Sequence, residues 1–425
     1  MDDRPETDTK TACRMITLFR NAKIFDGHNE EILDGGDVVV EDGRIREVSE
    51  NCGKPAGATV IECQGRYLMP GLIDCHFHAY SPSMNVAVIE HMPSSLLTAH
   101  AAKILEGTLQ RGFTTVRDAA GGDIGLWMAI EQGLIKGPRF FFPGKAISQT
   151  GGHGDIRPGI ERDLCGCNGY KGSMTLLADG ADAVRAAVRE ELRKGAHQIK
   201  IFVSGGALSP TDPMWMPQFT EEEIRAAVYE ASTRRTYVMA HSHTDDSSRR
   251  CSEYGVRTIE HGTLICLDET ARILAENGTY MVPTLSVSDV LKRHVDKLNL
   301  PAAVVEKINS IDNQALRAIE VCSRAGVKLG FGTDLLDHAF HPFQGGEFEL
   351  RGQVSKPIDV LRSATSINAE ILQMPGQLGC VKAGALADIL VLEGNPFADL
   401  SLFREPRKNI PVVMKNGVMV RNDLP

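Results

Sequence analysis

Tryptophan is almost missing from this chain, with two in 425 residues, and aromatic residues reach only 6%. No apolar run approaches the ~20 residues a membrane-crossing helix needs. No block of lysine and arginine stands out either. The balance runs the other way, with 55 acidic against 46 basic side chains and a formal net charge of −9. That is the wrong sign for a general nucleic-acid binder, so neither nucleic acid nor membrane is expected as a partner. Residues 1–14 are polar with no apolar core, which predicts a loose polar leader rather than a secretion signal. Cysteine is too sparse for a disulfide scaffold, with ten in all. Only Cys165 and Cys167 lie close together, and their one-residue spacing is not that of a zinc knuckle. Idle, mostly buried thiols in a reducing compartment are expected, and hence a cytoplasmic location. With 42% hydrophobic and 24% charged residues, the chain reads as an ordinary globular protein.

What is present is ordered in a recognisable way. Residues 15–66 read as short strands with turns, including the hairpin signal Asp42-Gly43. Residues 377–425 match them, with Asn416-Gly417 joining two further strands. Strands at both ends predict one small composite β-module, a β-sandwich built from 15–66 and 377–425. Between them, 67–376 alternates apolar strands with amphipathic helices. Eight strands are predicted there: Leu72–His76, Thr114–Asp118, Phe140–Pro143, Gln198–Val203, Tyr237–Ala240, Thr258–Glu260, Tyr280–Pro283 and Val327–Gly332. Asp182–Gly195 places Val184, Ala187, Val188 and Leu192 on one helical face. Thr220 to Glu223 is a capping box opening another helix, with Ile224, Ala227, Val228 and Ala231 inward. Eight strand–helix units in 67–376 point to an α/β fold, a TIM (β/α)8 barrel whose chemistry sits at the C-terminal strand ends.

Those ends carry metal-competent side chains. The first strand runs into Asp74-Cys75-His76-Phe77-His78. Strand faces alternate, so His76 and His78 point the same way and could share one metal. His241 and His261 lie near the ends of the fifth and sixth strands, and Asp334 follows the eighth. A single His-x-His is a weak signal, but four histidines and an aspartate at strand ends are hard to reach by accident. Lys200 sits inside the apolar fourth strand. A buried lysine is costly unless paired or chemically altered, so an ion pair and a carbamylated lysine are both open on the residues alone.

The chain resembles the amidohydrolase superfamily through Pro70-Gly71-Leu72-Ile73-Asp74-Cys75-His76-Phe77-His78 and Ala383-Gly384-Ala385-Leu386-Ala387-Asp388-Ile389. Three further stretches resemble its branch of Xaa-Pro dipeptidases, zinc carboxypeptidases and ochratoxinase: Thr150-Gly151-Gly152-His153-Gly154, Ile199-Lys200-Ile201 with Ser204-Gly205-Gly206, and Ile259-Glu260-His261-Gly262-Thr263. The resemblance implies a binuclear centre of two divalent ions, most simply zinc. It assigns His76, His78 and Asp334 to one ion and His241 and His261 to the other. Lys200, carbamylated by carbon dioxide, would bridge them. Asp334 would move the proton, and His153 and His243 would donate to the developing oxyanion. Family expectation adds a homo-oligomer.

The expected activity is hydrolysis of the amide bond in N-acyl amino acids or dipeptides with an apolar C-terminal residue, with ochratoxin A as a candidate substrate. Arg157 and His338 are candidate substrate contacts, with His341 nearby, though an ordinary surface role serves Arg157 equally well and loop histidines are usually solvated. Trp215, between Met214 and Met216, could wall an apolar pocket or cover an oligomer contact. Two competing readings stand beside this one: a hydrolase of cyclic amides of the imidazolone or hydantoin type, and a catalytically dead scaffold on the same fold.

Overall fold

The computed structural model of the protein describes residues 15–157, 173–209, 212–298 and 302–425. The expected leader and the Cys165–Cys167 pair lie outside these residues. Five strands open the chain: β1 (Ile16–Ile24), β2 (Leu33–Glu41), β3 (Arg44–Ser49), β4 (Thr59–Glu62) and β5 (Tyr67–Pro70). Nine follow, interleaved with helices: β6 (Leu72–Phe77), β7 (Phe113–Asp118), β8 (Arg139–Phe141), β9 (Ala146–Ser148), β10 (Thr175–Leu177), β11 (Ile199–Phe202), β12 (Val238–Thr244), β13 (Thr258–Leu264) and β14 (Tyr280–Val282). Three close it: β15 (Ile389–Leu392), β16 (Val412–Lys415) and β17 (Val418–Asn422).

Both ends of the chain meet in one eight-stranded sheet, ordered β17-β16-β15-β5-β1-β2-β3, with β4 alongside β1. The two hairpin turns take the backbone that their sequences favour. Asp42 and Gly43 have φ of 48° and 83°, and Asn416 and Gly417 have 49° and 73°, the mirror-image turn that matches strand twist. The turns also touch. A Cβ on Gly417 would stand 2.7 Å from the Gly43 Cα, so glycine is required there. One face of the sheet packs Phe19, Val38, Val40, Ile389 and Val412 into a common core.

The middle of the chain is α/β with parallel strands. β6, β7 and β8 form one parallel sheet, and β10, β9, β11, β12, β13 and β14 form another. The helix Ala181–Arg193 buries Val184, Ala187, Val188 and Leu192. The helix Glu221–Thr233 opens on the complete Thr220–Glu223 capping box and buries Ile224, Ala227 and Ala231, with Val228 partly buried.

The stretch expected as the eighth strand departs from that expectation. It makes a single parallel bridge, Leu329 to Met281. Cys75 N then donates to Phe331 O at 2.8 Å, and Asp334 N to His76 O at 2.8 Å, so this segment runs between β14 and β6. The physical reason is a side chain. Asn368 Nδ2 donates to Phe331 O at 2.9 Å and Asn368 Oδ1 accepts from Phe331 N at 3.0 Å. The backbone groups of Phe331 are thus partly taken up by an amide side chain instead of a continuous ladder. Among the described residues, no helix is long and apolar enough to cross a membrane.

Candidate metal centre

β6 delivers His76 and leads into His78. β12 carries His241 and His243 on one face, and β13 carries His261. Asp334 follows the irregular eighth segment. The structure brings these residues into two groups, His76 with His78 and Asp334, and His241 with His243 and His261. Within each group the candidate ligand atoms lie within 4.8 Å of one another. The groups adjoin: the His76 and His261 rings are 4.8 Å apart. Asp334 Oδ1 is 2.9 Å from His78 Nε2 and 3.5 Å from His76 Nε2, and its Oδ2 is 3.8 Å from His261 Nδ1. His261 and Asp334 both hold left-handed backbone, with φ of 75° and 54°. Such strain in non-glycine residues concentrates where surrounding structure enforces a functional geometry.

Four of these histidines have one ring nitrogen tied and the other left over. His76 Nδ1 donates to Glu260 Oε2 at 2.7 Å, and His241 Nε2 donates to Gly205 O at 3.3 Å. His243 Nδ1 shares a hydrogen bond with Thr263 Oγ1 at 2.7 Å, and His261 Nδ1 shares one with Thr284 Oγ1 at 2.7 Å. For His76, His241 and His261 this is the orientation a metal-binding imidazole needs, since the outer bond fixes the ring and can leave one lone pair for the ion. Burial lowers the His76 imidazole to about 4, with the Lys200 charge acting in the same direction. Burial likewise lowers His243 to about 3 and holds His241 and His261 well below the usual range. Neutral imidazoles and one carboxylate make a nitrogen and oxygen donor set that suits zinc-like divalent ions. The residues fit such ions.

Lys200 is 2% exposed. Burial lowers its amine to about 8, against the pull of the Glu260 and Asp334 charges. Its charge in turn acts on His76, His241, His243, His261 and Asp334, so it lies within electrostatic reach of both groups. Burial also works against the Asp334 carboxylate, but His76 and His78 outweigh it and hold this acid below its usual range.

The chain belongs to the amidohydrolase family. The family model "Amidohydrolase family" matches residues 67–420. The chain is 32% identical to ochratoxinase from Aspergillus niger over 440 residues, covering 98% of this chain and 89% of that one. It is also similar to a crystal structure of a prolidase complexed with N-methylphosphonate-L-proline. That match has 42% identity, a TM-score of 0.92, and covers 96% of this chain and all of that one. A Xaa-Pro dipeptidase structure with bound methionine matches at 30% identity and a TM-score of 0.85, over 96% of this chain and 100% of the other. The protein is therefore a hydrolase of amide bonds, in a family that generally uses divalent metals.

The remaining sequence candidates fall around this amidohydrolase centre unevenly. The His153 ring stacks on His241, with centroids 4.3 Å apart and planes inclined by 20°. Arg157 engages Asp155 at two points, Nε to Oδ1 at 2.7 Å and a terminal nitrogen to Oδ2 at 2.6 Å. The His338 side chain is 65% exposed, 3.3 Å from Asp337. His341 is buried against Phe77, with neither ring nitrogen hydrogen-bonded. Trp215 is 74% exposed, whereas Met214 is buried.

Sequence reasoning passed over the residues that hold the ligands. Glu260 links His76 to Arg117, and Asp74 accepts from the His76 and Thr333 amides at 3.1 and 3.2 Å. The available signal was the one that exposed Lys200, a charge inside an apolar strand. Both acids stand beside ligand histidines in the same strands, in Asp74-Cys75-His76 and Ile259-Glu260-His261.

Proposed function

We propose that this amidohydrolase is a binuclear-metal enzyme that cleaves the amide bond of N-acyl amino acids or dipeptides with an apolar C-terminal residue. Ochratoxin A, an amide of phenylalanine, is a candidate substrate. The observation that carries the reading is the meeting of two donor groups at His76, His261 and Asp334, with a buried lysine in electrostatic reach of both. In this reading His76, His78 and Asp334 would hold one ion and His241 and His261 the other, and Lys200, as its carbamate, would supply a further anionic oxygen donor to the pair. Two divalent ions, most simply zinc, would acidify the attacking water and polarise the scissile carbonyl. Asp334 takes a proton from that water and returns it to the leaving amine, so the C–N bond breaks as water adds across it. His153 and His243 donate to the developing oxyanion. The likeness to ochratoxinase, a prolidase and a Xaa-Pro dipeptidase supports an amino-acid leaving group.

The division of the chain belongs to the same proposal. A closed (β/α)8 barrel over 67–376 carries the chemistry, and 15–66 with 377–425 form a module beside it, a β-sandwich in the sense that its one eight-stranded sheet would fold across itself. The enzyme is read as cytoplasmic and homo-oligomeric.

Trp215 and the neighbouring methionines would favour an aromatic side chain, since burying apolar surface gains ~25 cal/mol per Å². Arg157 and His153 would meet the free carboxylate, and His338 would meet substrate from the loop after Asp334. Arg157 would have to share its guanidinium with Asp155, which makes recognition there weaker than at an arginine without such a pair. The test is kcat/KM for N-acyl-phenylalanine, N-acyl-proline and ochratoxin A, each against its methyl-ester-capped form. Turnover with a preference for the free acids is expected. Equal values for free and capped forms would refute carboxylate recognition, and no turnover of any would return the reading to cyclic amides.

A further inference from the structure

The mechanism above uses neither Asp212 nor Lys307, yet both are tied to His153. Lys307 projects from the helix Ala302–Arg324. Its Nζ donates to three backbone carbonyls, Gly206 at 3.1 Å, Ser209 at 2.7 Å and Asp212 at 2.8 Å. An ammonium has three protons, so these acceptors use them all. Ser209 and Asp212, which supply two of these carbonyls, also reach the His153 ring with their side chains. His153 Nδ1 lies 2.8 Å from Ser209 Oγ and 3.2 Å from Asp212 Oδ2. Asp212 Oδ2 is itself steadied by Gly206 N at 3.1 Å and Gln218 Nε2 at 3.3 Å. Gln218 Oε1 accepts from His153 N at 2.9 Å, so backbone and ring are held from one side.

The ring is confined on its faces as well. A Cβ on Gly206 would fall 2.1 Å from His153 Cε1, so only glycine lets the loop backbone lie against the imidazole. The other ring contacts are the stack on His241 and the edge of Phe202 at 5.4 Å. A flip of the imidazole by 180° would put a carbon where Nδ1 now meets an anionic oxygen, and would cost that oxygen its bond to the ring.

We propose that Asp212 and Lys307 are positioning residues for His153. Lys307 fastens the backbone that bears Ser209 and Asp212, and these two hold Nδ1, so Nε2 is the nitrogen turned to substrate. With Nδ1–H on the Asp212 carboxylate, donation from Nε2 uses the second proton of the imidazolium, which that carboxylate favours. The inference rests on the reading of His153 as a donor to the reacting carbonyl.

The test is a double-mutant cycle on the metal-loaded enzyme with N-acyl-phenylalanine. Lys307→Met and Asp212→Asn are each made with His153 present and in a His153→Ala background. With His153 present, kcat should fall on the order of 10- to 100-fold, because small misplacements of a catalytic group cost that much. KM should move little, and Lys307→Arg should recover part of the loss. In the His153→Ala background neither change should cost anything further. Equal losses in both backgrounds would overturn the proposal. Asp212→Asn preserves size and serves if Lys307→Met does not fold. The ¹⁵N spectrum of the imidazoles gives a reading independent of turnover. The His153 Nδ1 resonance should shift in both variants while those of His76 and His261 stay in place. An unchanged His153 resonance would refute the clamp. If His153→Ala itself leaves kcat/KM intact with metal bound, it is the donor reading that fails, and the spectrum still decides the clamp.

Discussion

The Glu260 carboxylate and the Arg117 guanidinium meet at 2.8 Å with neither side chain exposed to solvent. The other Glu260 oxygen accepts from His76 Nδ1, so a buried cation sets the charge of the acid that aims a candidate metal ligand. Burial alone would push Glu260 up, but Arg117 and then His76 outweigh it and hold the acid at about 2. A firmly ionised acceptor keeps the proton of His76 on Nδ1 and frees Nε2. Glu260→Gln should therefore loosen metal by roughly 10- to 100-fold, the usual cost of losing such an outer partner. Competition against a chelator measures it, and unchanged affinity in the folded variant would break the link.

Lys200 makes a second case. With its amine lowered to about 8 by burial, a sizeable share is neutral near pH 8, and the neutral amine is the form that adds carbon dioxide. Reconstitution of metal-free enzyme with zinc, at a fixed level of dissolved carbon dioxide, should speed up from pH 6 to pH 9 and stall when carbon dioxide is excluded. A carbamate carbon should appear in the ¹³C spectrum when labelled bicarbonate is used. Lys200→Ala should lose metal and activity together. An unmodified amine beside two ions in a high-resolution map would sink the assignment.

Much of this was readable from residues because the informative positions are chemically expensive ones. His76, His241, His261, Lys200 and Asp334 stand in or next to apolar strands, where only a site repays a polar side chain, and the structure gathers them. The Asp42-Gly43 and Asn416-Gly417 turns were legible because their left-handed backbone restricts the residues that fit. Other features depend on distant partners and left no local mark. The replacement of a strand ladder at Phe331 by Asn368 is one, since 37 residues separate the two. The pairing of Arg157 with Asp155 was in plain view, two residues apart, but nothing local says whether such neighbours bond to each other or to a ligand. Lys307 reads as one more polar helix residue until its three carbonyl partners, about 100 positions earlier in the chain, are known.

Asp334 should be the residue whose loss costs the most turnover for the least structural change. It touches His76, His78 and His261, so its carboxylate is within reach of both donor groups. Asp334→Asn keeps the shape and removes the proton-accepting oxygen. Nearly all turnover should vanish while the thermal midpoint stays close to that of the parent. Parental turnover in a metal-loaded Asp334→Asn enzyme would show the proton passing elsewhere.

A last expectation concerns pH and lies away from the donor groups. Glu347 is fully buried, and its carboxylate accepts from the Ser286 amide at 2.7 Å and the Leu285 amide at 3.3 Å. Burial pushes this acid up from 4.5 to about 7, against the opposing charge of Arg351 and the Ser286 bond. A raised acid holds a proton in the folded protein that the unfolded chain has already released. Its contribution to stability is thus complete below pH 4.5 and is lost as pH climbs through about 7. The difference of about 2.5 pH units corresponds to roughly 3 kcal/mol at 1.36 kcal/mol per unit. Glu347→Gln has no charge to bury and keeps an acceptor for the Ser286 amide, at the cost of the longer Leu285 bond, which goes to the other oxygen. The lost bond sets a constant offset between variant and parent, and relative to the parent the variant should gain stability as pH rises from 4.5 to 8. Thermal unfolding of the metal-loaded pair across that range is the measurement. Two melting curves that stay parallel from pH 4.5 to 8 would show that Glu347 does not titrate in this window.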